Sequence, residues 1–214
     1  MRLTFVLLLI ATTAQAATLK DVNAEGYRDC SLHRLEACQN TNQLFFGPEK
    51  RGGKHTRKTE FSRALRRFLA GTQKTFIGAQ SFNTADSAEN EFGGPDGPPE
   101  RLASGEWLFR GFEPHASPFS GYVLFDAKGH IELAATLGTE TDVATSLSSS
   151  ADYVLRIYSH GSEPKSDIRD KLKDWAKAAV GNESTYPGVL SPNRFVGVEL
   201  FLEQNNSWSS HWVP

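Results

Sequence analysis

Apolar positions recur along this chain with two periods, and each period predicts a different kind of element. Phe61, Ala64, Leu65, Phe68 and Leu69 follow the i, i+3, i+4, i+7, i+8 spacing of one helix face, and Gly71 stands where that helix would stop. Ile168, Leu172, Trp175, Ala176, Ala179 and Val180 repeat the pattern, with Ser162 or Ser166 as the cap and Gly181 as the stop. Between these helices the pattern changes to strands at 106–111, 122–126 and 131–137, the last two joined by a Lys128-Gly129 turn. A further strand at 153–158 is rich in β-branched and aromatic residues, and another is expected over 195–202. Residues 81–103 carry Gly93-Gly94-Pro95, Gly97 and Pro98-Pro99 among polar residues and read as a long surface loop. The expected fold is α+β, an antiparallel sheet of about five strands flanked by two main helices.

One apolar run stands apart. Arg2 precedes the stretch 3–10, and Ala14-Gln15-Ala16 follows it. A spanning helix needs about 20 apolar residues, so this shorter run with small residues behind it reads as a signal peptide over 1–16. The expected organisation is then a loosely packed N-terminal segment at 17–59 and an α+β domain at 60–214, working in the periplasm or secreted. No second apolar stretch offers stable membrane insertion.

Export bears on Cys30 and Cys38, because a cysteine pair in an oxidising compartment is expected to form a disulfide. Eight positions on one helix would separate them by roughly 12 Å, beyond disulfide reach, so the bridge requires a turn between them. The rival reading, a metal site of Cys30, His33 and Cys38, lacks a fourth ligand and the usual spacing. No metal and no cofactor are expected.

The 214 residues have a formal charge of -2, with 14 Phe and 4 Trp to fill a core. This balance gives no reason to expect a nucleic-acid partner. Residues 50–67 nevertheless hold eight Lys/Arg against one acid, and half of this stretch is read as covering the solvent face of the first helix. Catalytic signatures are missing: there is no Gly-x-Ser-x-Gly elbow, His-Glu-x-x-His, phosphate loop or dinucleotide fingerprint. Ser159-His160-Gly161-Ser162 reads as a strand end leading into a helix cap, and the acid pairs Glu89/Glu91 and Asp167/Asp170 as solvated charges on a polar loop and a helix surface. The chain is therefore not expected to be an enzyme.

One segment between two strands differs from its surroundings: Gly111-Phe112-Glu113-Pro114-His115-Ala116-Ser117-Pro118, ending at Phe119-Ser120-Gly121. Pro114 and Pro118 restrict themselves and the residues before them, so this loop loses less entropy on binding than a flexible one. It holds out His115, whose imidazole can hydrogen-bond carboxylates in a partner's cleft.

Residues 107–137 resemble the periplasmic inhibitors of vertebrate-type (c-type) lysozyme, in which a strand leads into a loop reading Cys-Lys-Pro-His-Asp-Cys and a hairpin follows. The matching residues are Pro114 and His115; Phe112 and Ser117 stand where that family has its loop cysteines. The resemblance implies a loop that enters the cleft of a glycan- or peptidoglycan-cleaving hydrolase, a lysozyme or a rival's type VI secretion effector against which the chain gives immunity. His115 would then engage the catalytic carboxylates, with Phe112, Glu113, Pro114, Ser117 and Phe119 as further partner-binding residues. The other readings are a cell-envelope hydrolase and an envelope-binding module without inhibitory action.

Overall fold

The computed structural model describes residues 30–46, 59–72, 75–77, 80–82, 84–95, 97–113, 118–139, 152–183 and 193–213. The leader reading at 1–16 and half of the basic stretch lie outside them. Within them the fold is α+β. The α-helices are α1 (Thr41–Phe46), α2 (Glu60–Phe68), α3 (Thr84–Glu91) and α4 (Ser166–Glu183). A small hairpin pairs β1 (Thr75–Ile77) with β2 (Gln80–Phe82). The main sheet contains β3 (Gly94–Pro95), β4 (Glu100–Arg101), β5 (Trp107–Phe112), β6 (Ser120–Phe125), β7 (Ile131–Thr139), β8 (Asp152–His160), β9 (Arg194–Gln204) and β10 (Ser207–Val213). Its order is β10-β9-β8-β7-β6-β5-β3, with β4 also pairing to β5.

Three expectations need correction. The sheet has eight strands rather than about five, and it is mixed: β8 and β9 run parallel. A parallel pair requires a crossover of a dozen residues or more, and the 18-residue α4 supplies it. The stretch 81–103, read as a surface loop, contains α3 and two short strands. Its helix escaped the pattern because it buries Thr84, Ser87 and Glu91 beside the small Ala85 and Ala88, leaving no large apolar stripe. Finally, the strand expected at 195–202 extends to Gln204 and turns through Asn205-Asn206, both at positive φ, into β10.

Each face of the sheet has its own core. Under α4 lie Leu108, Tyr122, Leu124, Leu133, Ala135, Leu137, Leu155, Ile157, Val198 and Leu200, against Ile168, Leu172, Ala176 and Val180. On the other face Phe109, Val123, Phe125, Ala134, Tyr158 and Phe201 meet Phe61, Leu65 and Leu69 of α2 and Ala85, Ala88 and Phe92 around α3. Helix α2 begins at Thr59, whose side chain accepts a hydrogen bond from the Ser62 N–H. Arg66 on its flank is bound to Asp86 and Glu89 of α3 and is not solvated.

Residues 30–46, within the segment expected to be loosely packed, contribute Leu32, Leu35 and Leu44 to this second core. Cys30 and Cys38 are at disulfide-bonding distance, with Cα atoms 4.6 Å apart. The intervening chain reverses through a bridge between Ser31 and Arg34 and a short 3-10 helix, Leu35–Ala37. Gly129 at the β6–β7 turn, φ +84°, lies directly on the Leu32 carbonyl, where an added Cβ would stand 1.8 Å from the oxygen.

Candidate functional site

The ends of the expected plug loop are held by the sheet. Phe112 of β5 pairs with Ser120 of β6, and beyond that pair the Glu113 N–H donates to the Phe119 carbonyl at 3.0 Å. Ser120 Oγ donates to the Pro118 carbonyl at 2.9 Å, and Pro118 and Ser120 are both buried. Pro114, His115 and Ser117 lie outside the described residues, so the structure places the anchors of the loop and not its tip. Phe112 is exposed at 36%, one of two large hydrophobic residues so exposed among the described residues. Its ring crosses Gly94 of β3, where an added Cβ would come within 2.7 Å of it. Phe119 is half-buried, its ring edge-on to Tyr153 at 5.8 Å.

Beneath this loop the sheet carries a polar row. Gly111, Gly121, Thr136, Arg156, Glu199 and Trp212 are direct neighbours across β5, β6, β7, β8, β9 and β10. The two glycines admit Phe92, since a Cβ at Gly121 would stand 2.9 Å from its ring and one at Gly111 3.0 Å from its Cα. The end of α3 therefore lies against the strands, and Glu91 enters the core at 3% exposure. Burial, and then the negative charge of Glu113, push the Glu91 carboxyl well above the usual range; Arg156 and a hydrogen bond from Ser87 oppose the shift. One Glu91 oxygen, Oε2, has no hydrogen-bond partner among the described residues. Burial also raises Glu113.

Arg156 balances the row. Its Nε lies 3.4 Å from Glu199 Oε2, and both terminal nitrogens donate to the Thr139 carbonyl at 3.3 Å. Tyr158, one alternation further along β8, is buried and stacks on Phe201 at 4.8 Å; burial raises its phenol strongly. A buried carboxyl whose pKa is raised, beside a second carboxyl and a guanidinium, is a group that can donate a proton or bind a polar group.

The other polar motifs are committed to packing. His160 donates from Nε2 to the Phe68 carbonyl at 2.7 Å and lies 3.3 Å from Glu203, while Ser159 Oγ donates to the Ser162 carbonyl at 2.8 Å. Glu89 and Glu91 are not a solvated pair on a loop: Glu89 is bound to Arg66 and Ser62, and Glu91 is buried. Asp167 and Asp170 are exposed on α4. His33 stands 3.4 Å from Glu60. Among the described residues no three His, Cys, Asp or Glu side chains gather as metal ligands, and no helix is long and apolar enough to cross a membrane.

Compared with family models, with curated proteins and with solved structures, the chain matches none. The row from Glu91 to Glu199 was not visible in the sequence. The available signal was the set Gly93-Gly94, Gly111 and Gly121, glycines in or beside strands that mark a close approach of another segment.

Proposed function

We propose that this chain is a non-enzymatic inhibitor that works outside the cytoplasm, periplasmic or secreted, and blocks the cleft of a peptidoglycan-cleaving hydrolase. The β5–β6 loop is the plug, and His115 hydrogen-bonds the catalytic carboxylates of the target, a lysozyme or a type VI effector. The observation that carries this reading is the exposed Phe112 at the foot of a loop whose ends are fixed by the Glu113–Phe119 hydrogen bond. A loop with fixed ends beside an exposed aromatic residue is the arrangement expected of an interface anchor. A second reading, a cell-envelope hydrolase, draws on the buried Glu91, whose carboxyl is raised in part by the charge of Glu113, two carboxyls whose burial differs.

The two readings part in one assay. The purified protein is tested against a panel of muramidases and peptidoglycan amidases, and alone on peptidoglycan. Stoichiometric inhibition that His115→Ala weakens by about tenfold or more, at unchanged melting temperature, is the expected result. Inhibition untouched in that variant removes His115 from the plug, and turnover by the protein alone, lost in Glu91→Gln, selects the hydrolase. Neither inhibition nor turnover leaves an envelope-binding module.

A further inference from the structure

The two edges of the main sheet are treated differently by the sequence. At one edge β3 and β4 are two residues long and contain Pro95, Glu100 and Arg101, the short, charged and proline-bearing devices that keep sheet edges from pairing. At the other edge β10 is a seven-residue strand, Ser-Trp-Ser-Ser-His-Trp-Val, in unbroken register with β9. It has no Lys, Arg, Asp, Glu or Pro, and its Trp212 is 53% exposed.

The register determines which of its backbone groups point outward. The two-residue turn Asn205-Asn206 makes Gln204 and Ser207 a hydrogen-bonded pair, after which hydrogen-bonded and non-bonded pairs alternate. Trp208, Ser210 and Trp212 therefore direct their N–H and C=O groups away from β9. The Glu203 carbonyl, opposite Trp208, supports this phase, because it accepts from the Gly161 N–H on the β8 side. Three donors and three acceptors thus line the outer edge, centred on Ser210.

We propose that β10 is a self-association edge, pairing antiparallel with β10 of a second copy of this chain about a two-fold axis through Ser210. In that register Ser210 faces Ser210 and each Trp208 faces the other copy's Trp212. All six outward groups on each strand find partners, giving six hydrogen bonds, and neither strand carries an Asp, Glu, Lys or Arg to repel its like. The indole pairs share one face of the joined sheet, where cross-strand aromatic pairs add to the hydrogen bonds. A foreign strand could use the same outer groups but would not supply the matched pair of tryptophans. The edge that carries β3, and the β5–β6 loop near it, take no part.

Sedimentation velocity of the intact chain at up to about 100 μM, with thermal melts as the check on folding, tests this. A dimer is expected, weakened by about tenfold or more in Ser210→Pro, whose lost N–H serves no bond to β9. Should that variant fail to fold, cysteine substitution still decides. Cα atoms of a hydrogen-bonded antiparallel pair are about 5.5 Å apart, so Ser210→Cys crosslinks under mild oxidation. Ser207→Cys does not, because its two copies lie about 20 Å apart in this register. A monomer throughout the range, a dimer indifferent to a folded Ser210→Pro, or equal crosslinking at 207 and 210 overturns the proposal.

Discussion

Glu91 links the stability of the fold to pH through a single buried side chain. Its carboxyl is raised above the ordinary 4.5 by burial and by Glu113, so the folded chain retains a proton that the unfolded chain has released. Where the unfolded state binds fewer protons, stability falls as pH rises, here from about 4.5 through the raised folded value. Glu91→Gln keeps the shape and removes the titration. Melts from acid to neutral pH are expected to show a shallower decline for the variant and a higher melting temperature at neutral pH; the same slope in both proteins would refute this role. Gly121 makes the matching steric prediction: Gly121→Ala places a methyl against the fully buried Phe92 ring and costs about 1–3 kcal/mol in a denaturant titration. At this scale the sequence was legible where a residue acts through its own neighbours, as Gly129 does at the β6–β7 turn. It was silent where three strands had to meet, as they do around Arg156, because no local pattern encodes which charge a buried acid will face.

Among the elements, periodicity located α2 and α4 because each has a broad stripe of large apolar residues, and it located the β5–β6–β7 meander because its strands are apolar runs bounded by Gly and Pro. It failed at α3, whose buried face is small and polar, and at β10, whose alternation of Trp with Ser is interrupted by Ser210 on the face of the two tryptophans. The parallel β8–β9 pair was implicit in a strand, helix, strand order that the antiparallel expectation overlooked. The disulfide-closed segment is the element whose contribution can be measured most directly. Closing a loop of this size is worth about 2–3 kcal/mol on a chain-entropy basis. Unreduced protein is expected to titrate no free thiols, and reduction to lower the unfolding free energy by that amount in a denaturant titration. Two titratable thiols in the unreduced protein would contradict the bridge.

For the molecule as a whole, the sheet is the partition between two cores of different character. The α4 face is aliphatic and built from a nearly local run of chain, β5 through β9. The opposite face is aromatic and assembled from distant segments: Thr41 Oγ1 donates to the Arg110 carbonyl, and Trp208 Nε1 donates to the Ala70 carbonyl at 2.9 Å. α+β was legible from the sequence because it depends only on element order. The layering was not, because it depends on contacts 69 and 138 residues apart.

That last contact has a consequence for the order of events during synthesis. The indole that caps α2 belongs to residue 208, so the first long helix reaches its final environment only after nearly all of the chain has been made. Until then the α2 end and the ring of His160 lack the indole they pack against. Contacts of such separation are slow to close. A nascent chain of this protein is therefore held short of its native state by its own topology until its last strand has been made.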